Sequence, residues 1–349
     1  MRERPRFIGE WVHPSQPRRG TRTLAVLIGA ICLLFLVLQA WWVLTASVAL
    51  RARPLVVEIP AHRGIVEIAR ILDRAGAIRS PMGFMLLAFA RGSMRSLKAG
   101  EYQIPRGANT VLVLSMLQGG QVLQHNVVFR EGSTLQELGR LLEAEGLAKA
   151  EDIARVARDG LFLRTQDVRA DSLEGYLFPD TYQFVKGMTP EEMLARMVAR
   201  MRERVSPDLL TEAAARDLSL HQVLTLASII EKEAVDRSEM PLISAVFWNR
   251  LALGMPLQAD PTVQYAAAKE RRTLTRADLA ADHPYNTYAR RGLPPGPIAS
   301  PGLAAIAAAV DPAPVKYLYF VARDDRRHHF STTVAEHNAA VARYRLSRR

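Results

Sequence analysis

The segment LASIIEKEA (residues 226–234) sets Glu231, Lys232 and Glu233 directly behind five uncharged residues. A carboxyl group held against an apolar wall is hard to ionise, because burial penalises the charged form. Such a group can donate a proton near neutral pH and take it back later. The competing reading is a plain helix end, with both glutamates in surface ion pairs to Lys232 or Arg237. On a helical wheel started at Leu220, Glu231 falls at about 20°, inside an apolar arc. Glu233 falls at about 220°, on the shoulder of that arc near Gln222. The two carboxylates therefore cannot face one pocket together, and Lys232 points to a third side. An ordinary glycosidase needs two carboxyl groups at one bond, so a second would have to come from another segment.

Histidines offer a weaker possibility. His328, His329 and His337 match no strong zinc spacing, and RDDRRHHF reads as a polar turn. Neither a metal nor another cofactor is expected.

The elements that must position these residues begin with a membrane helix. Thr23–Leu50 carries no charge, and about 20 apolar residues suffice to cross a bilayer. Arg2, Arg4, Arg6, Arg18, Arg19 and Arg22 precede it against Glu3 and Glu10, which predicts a cytoplasmic N-terminus. Trp41 and Trp42 suit the far headgroup region. A cleaved signal peptide is the alternative, but its apolar core is normally only ~7–15 residues. The 349-residue chain carries 46 Lys+Arg against 35 Asp+Glu, a formal charge of +11. That favours an anionic partner, and export of everything after Arg51 argues against nucleic acid. Cys32, the sole cysteine, lies inside the apolar run, so the exported part has no disulfide or thiol nucleophile.

Beyond a short linker at 51–55, one pattern occurs twice, 70 residues apart. VEIPAHRGIVEIARILDRAG (57–76) aligns with VVFREGSTLQELGRLLEAEG (127–146). Each reads as a short strand, a turn and an amphipathic helix stopped by Gly76 or Gly146. In the second copy Ser133 or Thr134 can cap the helix, with Glu137 completing a capping box. KAGEYQIPRGANTVLVLSMLQGG repeats the rhythm more loosely. These units resemble the LysM modules that grip cell-wall glycan, although no aromatic cluster marks a sugar platform. From about Val127 the pattern is mainly helical, with helices over Pro190–Arg204 and Ser219–Ala234. RGLPPGPIASPG (291–302) must be a loop, and VKYLYFVA (315–322) reads as a strand.

Several separated stretches then agree with one family. Residues 231–266, HPYNTYARRGLPPGPIASPG (283–302), LEGYLFPDTY (173–182) and AGEYQIP (99–105) together resemble the MltG (YceG-like) endolytic murein transglycosylases. The order anchor, LysM-like region, catalytic region matches as well. The fold expected is α+β: a basic tail at 1–22, a single transmembrane helix at 23–50, a LysM-like strand–turn–helix region at 54–125 and a mainly helical α+β catalytic domain at 126–349.

The resemblance implies cleavage of the β-1,4 bond between N-acetylmuramic acid and N-acetylglucosamine in nascent peptidoglycan, leaving 1,6-anhydro ends. It assigns the acid/base role to the second Glu of E-x-E, here Glu233. The wheel keeps Glu231, deeper in the apolar arc, as the rival candidate; otherwise Glu231 is expected as a structural partner of Arg250. Ala234 stands where some relatives carry a hydroxyl residue. Glu174, Gln258, Asp260, Tyr265, Asn286 and Tyr288 are the expected sugar-binding groups, and Asn249 and Arg250 the supporting ones. Peptidoglycan synthases are the expected protein partners, at the inner membrane with the catalytic domain periplasmic. A hydrolytic muramidase and a non-catalytic wall-binding scaffold are the alternatives.

Overall fold

The computed structural model describes residues 19–46, 54–268, 273–323 and 327–347. The basic tail before Arg19, linker residues 51–53 and the tip of the RDDRR turn at 324–326 lie outside them. The described chain forms two compact units that divide between Leu123 and Gln124.

The first unit opens with α1 (Arg19–Thr45), whose stretch Thr23–Thr45 is long and apolar enough to cross a membrane. It continues β1 (Leu55–Ile59), α2 (Ile65–Arg74), α3 (Pro81–Ala90), β2 (Gly100–Ile104) and α4 (Thr110–Gly119). β1 and β2 pair antiparallel, Val57 opposite Tyr102. Their inward residues Val57, Ile59, Tyr102 and Ile104 close a core with Ile68, Leu72, Phe84, Leu114 and Leu117. Alternation puts these side chains on one face of each strand, and the helices bury theirs at three- and four-residue spacing.

The second unit runs β3 (Gln124–Val128), α5 (Leu135–Ala144), α6 (Ala150–Val156), α7 (Gly160–Thr165), β4 (Thr181–Val185), α8 (Pro190–Arg204), α9 (Pro207–Ala214) and α10 (Leu220–Glu233). A single 3-10 turn (Arg237–Glu239) leads into α11 (Met240–Ala252), followed by α12 (Asp260–Ala266), α13 (Arg276–Ala280), α14 (Leu303–Val310), the hairpin β5 (Tyr319–Ala322) and β6 (His328–Ser331), and α15 (Val334–Ser347). The architecture is mainly helical α+β with small two-stranded sheets.

The duplicated pattern is a duplicated structure. β3 pairs with β4 across α5 and α6 as β1 pairs with β2 across α2 and α3, the second copy adding α7 before its closing strand. The turn residues His62 and Gly132 stand 70 positions apart, both at positive φ, 61° and 72°. Buried Tyr102 and Tyr182 each donate a hydroxyl hydrogen bond four residues back, to the Lys98 and Phe178 carbonyls. Thr134, not Ser133, caps α5 and forms the capping box with Glu137.

Two expectations change. The strand read over 315–322 begins only at Tyr319, because the carbonyls of Val315 and Tyr317 accept from the Asn249 side chain. His328 and His329 sit in β6 and not in the turn.

Candidate active site

α10 is the spine of the site. Ser219 caps it with a reciprocal box to Gln222, and Val223 through Ile230 are all buried. The polar side of the wheel is therefore not a solvated side. Thr225 and Ser228 are both buried: Thr225 Oγ1 donates to the His221 carbonyl at 2.7 Å, and Ser228 Oγ accepts from the Ile298 amide of the 291–302 loop at 3.0 Å. His221 bridges to the same loop, between the Tyr176 hydroxyl (2.9 Å) and the Pro295 carbonyl (2.7 Å).

At the C-terminus of α10 three consecutive side chains part. Glu231 accepts from the Gly302 amide at 3.0 Å, at the start of α14. Burial pushes its carboxyl up, the Gly302 hydrogen bond acts against this, and Glu131 adds to it. Lys232 Nζ donates to the Gly132 carbonyl at 3.1 Å. Glu233, the last helical residue, is half-buried and turns toward Asp260 and Arg250. Its carboxyl is pushed up to about 8, first by burial, then by the negative charge of Asp260, with Arg250 opposing both.

Arg250, on α11, is buried and held along its length. Nε donates to the Leu318 carbonyl (2.7 Å) and Nη1 to that of Leu257 (2.7 Å). The guanidinium also lies 5.2 Å from the Tyr319 ring centroid. Its charge bears on Glu233 and not on Glu231, so the expected Glu231–Arg250 pairing is corrected: Glu231 lies on another side of α10, tied to Gly302. Asn249 ties α11 to the approach of β5, with Nδ2 donating to Val315 and Tyr317 at 2.9 and 2.8 Å.

The other expected sugar-binding residues fall into three groups. Asp260 and Gln258 are exposed beside Glu233 and Arg250. Tyr288 donates to Asp260 Oδ1 at 2.5 Å. Glu174 and Tyr265 line an adjacent cleft of about 630 Å³, with Lys232, Arg158, Gln264 and Tyr285. Glu233 does not line it. α12 joins the two places, with Asp260 at its start and Tyr265 near its end.

Asn286 does not fit the expectation of a sugar contact. It is buried, its amide donates to the Leu279 and Ala281 carbonyls, and its oxygen accepts from the Tyr288 amide. It shapes the loop that carries Tyr288.

Glu174 is buried and accepts the Leu135 amide on both oxygens, at 3.0 and 3.2 Å, in the first turn of α5. Burial pushes it up to about 7, against that hydrogen bond. Tyr265 hydrogen-bonds the same carboxylate, and burial drives its phenol upward. Tyr319 and His337 were not expected in this region. Their rings stack at 5.3 Å, and burial and Arg250 hold the imidazole below its usual range. Tyr319 falls in the expected strand, but nothing in its spacing points to Arg250.

These observations define a class: a mainly helical α+β protein that presents a desolvated carboxyl group at a helix end between one acidic and one basic neighbour, an arrangement that can serve general acid–base chemistry. Residues 57–343 match the YceG-like family, and the chain belongs to it. It is 32% identical over 303 residues to an endolytic murein transglycosylase of Bacillus subtilis (strain 168), covering 82% of this chain and 84% of that one. An endolytic murein transglycosylase of Streptococcus pneumoniae serotype 2 (strain D39) is also 32% identical, over 320 residues, and there the match spans 58% of the longer relative. A 2.6 Å crystal structure of a yceG-like protein from Listeria monocytogenes superposes with a TM-score of 0.59 at 33% identity, over 83% of this chain and 99% of that one.

Proposed function

We propose that this chain is a membrane-anchored endolytic lytic transglycosylase that cuts the N-acetylmuramic acid–N-acetylglucosamine bond of nascent peptidoglycan. The observation that carries the reading is Glu233, a carboxyl group still protonated near neutral pH in a chain similar to enzymes named endolytic murein transglycosylases. Glu233 protonates the bridging oxygen as the bond to C1 breaks. As a carboxylate it then takes the proton of the muramic acid 6-hydroxyl, whose oxygen closes onto C1. The nucleophile belongs to the substrate, so it arrives at high effective molarity, ~10⁵ M or more when well oriented. Product and substrate differ by no water. Gln258, Asp260 and Tyr288 border the reacting bond, while Tyr265 and Glu174 border a neighbouring saccharide.

α1 is the uncleaved anchor, with the residues before it cytoplasmic and the rest periplasmic. The β1–α2–α3–β2 unit is LysM-like in its order of elements. Peptidoglycan strands are the substrate, and peptidoglycan synthases are the partners this position suggests.

The charge of Asp260 on Glu233 favours a second reading, hydrolysis by a carboxyl pair. One experiment separates the two: the purified chain with uncrosslinked glycan, wild type beside Glu233→Gln, read by mass spectrometry. Anhydro ends, about 18 Da lighter than reducing ends, and a loss of roughly 10²–10⁴-fold in the variant are expected. Reducing ends would replace the lyase by a muramidase. Undiminished cleavage by Glu233→Gln would remove Glu233 from the chemistry.

A further inference from the structure

α3 is apolar on every side, yet only one side is covered. Phe84 and Ala88 are fully buried in the first unit's core. On the opposite face Met82, Leu86 and Phe89 are 70%, 63% and 69% exposed. Their spacing gathers them into an arc of about 60° on the helix. We propose that this face binds lipid: α3 lies in the headgroup–acyl boundary of the bilayer that α1 crosses.

Three observations choose lipid as the occupant. First, α3 packs where the apolar span ends. A Cβ added at Gly83 would sit 3.5 Å from Val43 Cγ1 and 3.6 Å from Leu44 Cδ2. The Arg79 guanidinium lies 4.6 Å from the Trp42 ring centroid, and Asn109 Nδ2 donates to the Thr45 carbonyl at 3.2 Å. Whatever depth the last turn of α1 has, α3 shares it. At ten residues α3 is too short to cross, since about 20 are needed, so it can only lie along the boundary.

Second, the flanks are basic. Residues 74–100 contain Arg74, Arg79, Arg91, Arg95 and Lys98 and no acidic residue. Apolar side chains framed by cations are the pattern of an interfacial helix on an anionic lipid surface.

Third, the second copy of the same unit lacks the feature. Superposing its buried pair Ile153 and Ala157 on Phe84 and Ala88 sets Glu151, Arg155 and Arg158 where Met82, Leu86 and Phe89 stand. All three of these are exposed. An outer face that is charged in one copy and apolar in the other is not a requirement of the fold. The apolar version occurs in the copy joined to the span. The β1–α2–α3–β2 unit is then held against the membrane surface by α3 as well as by α1.

The inference rests on α1 being the anchor, and the test separates the two. The full chain is reconstituted in phosphatidylcholine vesicles containing phosphatidylglycerol, with an environment-sensitive NBD dye on one cysteine. Native Cys32 reports on α1, and Leu86→Cys in a Cys32→Ser background reports on α3. Nitroxide lipids labelled shallow or deep, and aqueous iodide, serve as quenchers. The expected result is deep quenching at position 32. Position 86 should show shallow quenching, at least about threefold weaker iodide quenching than free dye, and blue-shifted emission. A dye at 86 open to iodide, with position 32 still deep, overturns the lipid face and leaves the anchor standing. Shielding from iodide without lipid quenching at 86 means a protein partner covers the face, and overturns it as well. Both positions wet would remove the anchor and this inference together.

Discussion

Tyr288 donates its hydroxyl proton to Asp260 across 2.5 Å, and so fixes the carboxylate whose charge bears on Glu233. Tyr288 thus bears on the Glu233 carboxyl through Asp260. Asn286 accepts the Tyr288 amide and sets that loop in turn. If Glu233 is the proton donor proposed above, Asp260 tunes it, and its removal should move the pH profile rather than abolish cleavage. With Asp260→Asn the negative charge that raises Glu233 is lost, so the carboxyl ionises at lower pH. The descending limb of kcat/KM against pH should shift acidward from about 8, by about one unit. Tyr288→Phe should shift it the same way but less. A collapse of activity at every pH in Asp260→Asn would instead make that residue a direct participant, as the hydrolytic reading requires.

The raised Glu233 also leaves a mark on stability. Its value in the folded chain, about 8, lies above the ordinary 4.5, so between those two values the folded state holds a proton that the unfolded state has released. By linkage, stability is fully present below the unfolded value and declines as pH rises toward about 8. Glu233→Gln removes the ionisation. The variant should match the wild type near pH 4 and be more stable at pH 8.5, by about 1–3 kcal/mol, in denaturant titrations of the full chain in detergent. Equal pH slopes for the two proteins would mean that this carboxyl group is not desolvated.

Why this glutamate was only half legible in the sequence follows from helix geometry. The wheel separates Glu231 from Glu233 correctly, since 200° is fixed by spacing. It ranks Glu231 as the deeper of the two because it counts apolar residues on α10 alone. The environment of Glu233 is supplied by α11 and the start of α12, which bring Arg250 and Asp260 from 17 and 27 residues further on. For the same reason Ser228 reads as polar surface although it is buried against the 291–302 loop. The duplicated strand–helix pattern was legible because its core and its caps are local: Thr134 with Glu137, and Gly76 with Gly146. The apolar face of α3 was not, since composition alone cannot tell an exposed stripe from a buried one.

Glu174 gives a test of the neighbouring cleft. Its carboxylate holds the free Leu135 amide at the start of α5 and accepts from Tyr265. Glu174→Ala leaves that buried amide without its acceptor, and should lower stability by about 1–3 kcal/mol in denaturant titrations. Glu174→Gln retains an acceptor and should recover most of the loss. If the residue also borders a saccharide, the Gln variant should raise KM with kcat little changed. A variant with native stability and native KM would deny it both roles.

Gly175 ties the LEGY segment to the loop over α10, and the chain there leaves no room for a side chain. Its φ is +79°, and a Cβ would run into the Pro297 ring and stand 3.3 Å from the Ala299 carbonyl. Proline cannot swing aside, and Ile298 next to it is pinned to Ser228. Gly175→Ala must therefore adopt a left-handed backbone with a Cβ, at about 1–2 kcal/mol, and also push the loop off α10. The total expected is about 2–4 kcal/mol of lost stability, measured by denaturant midpoint. Activity should fall although Glu233 is untouched, because the displaced loop also carries Gly302, the partner of Glu231. An Ala variant with unchanged midpoint and rate would mean that the contact between the LEGY turn and Pro297 does not hold the loop in place.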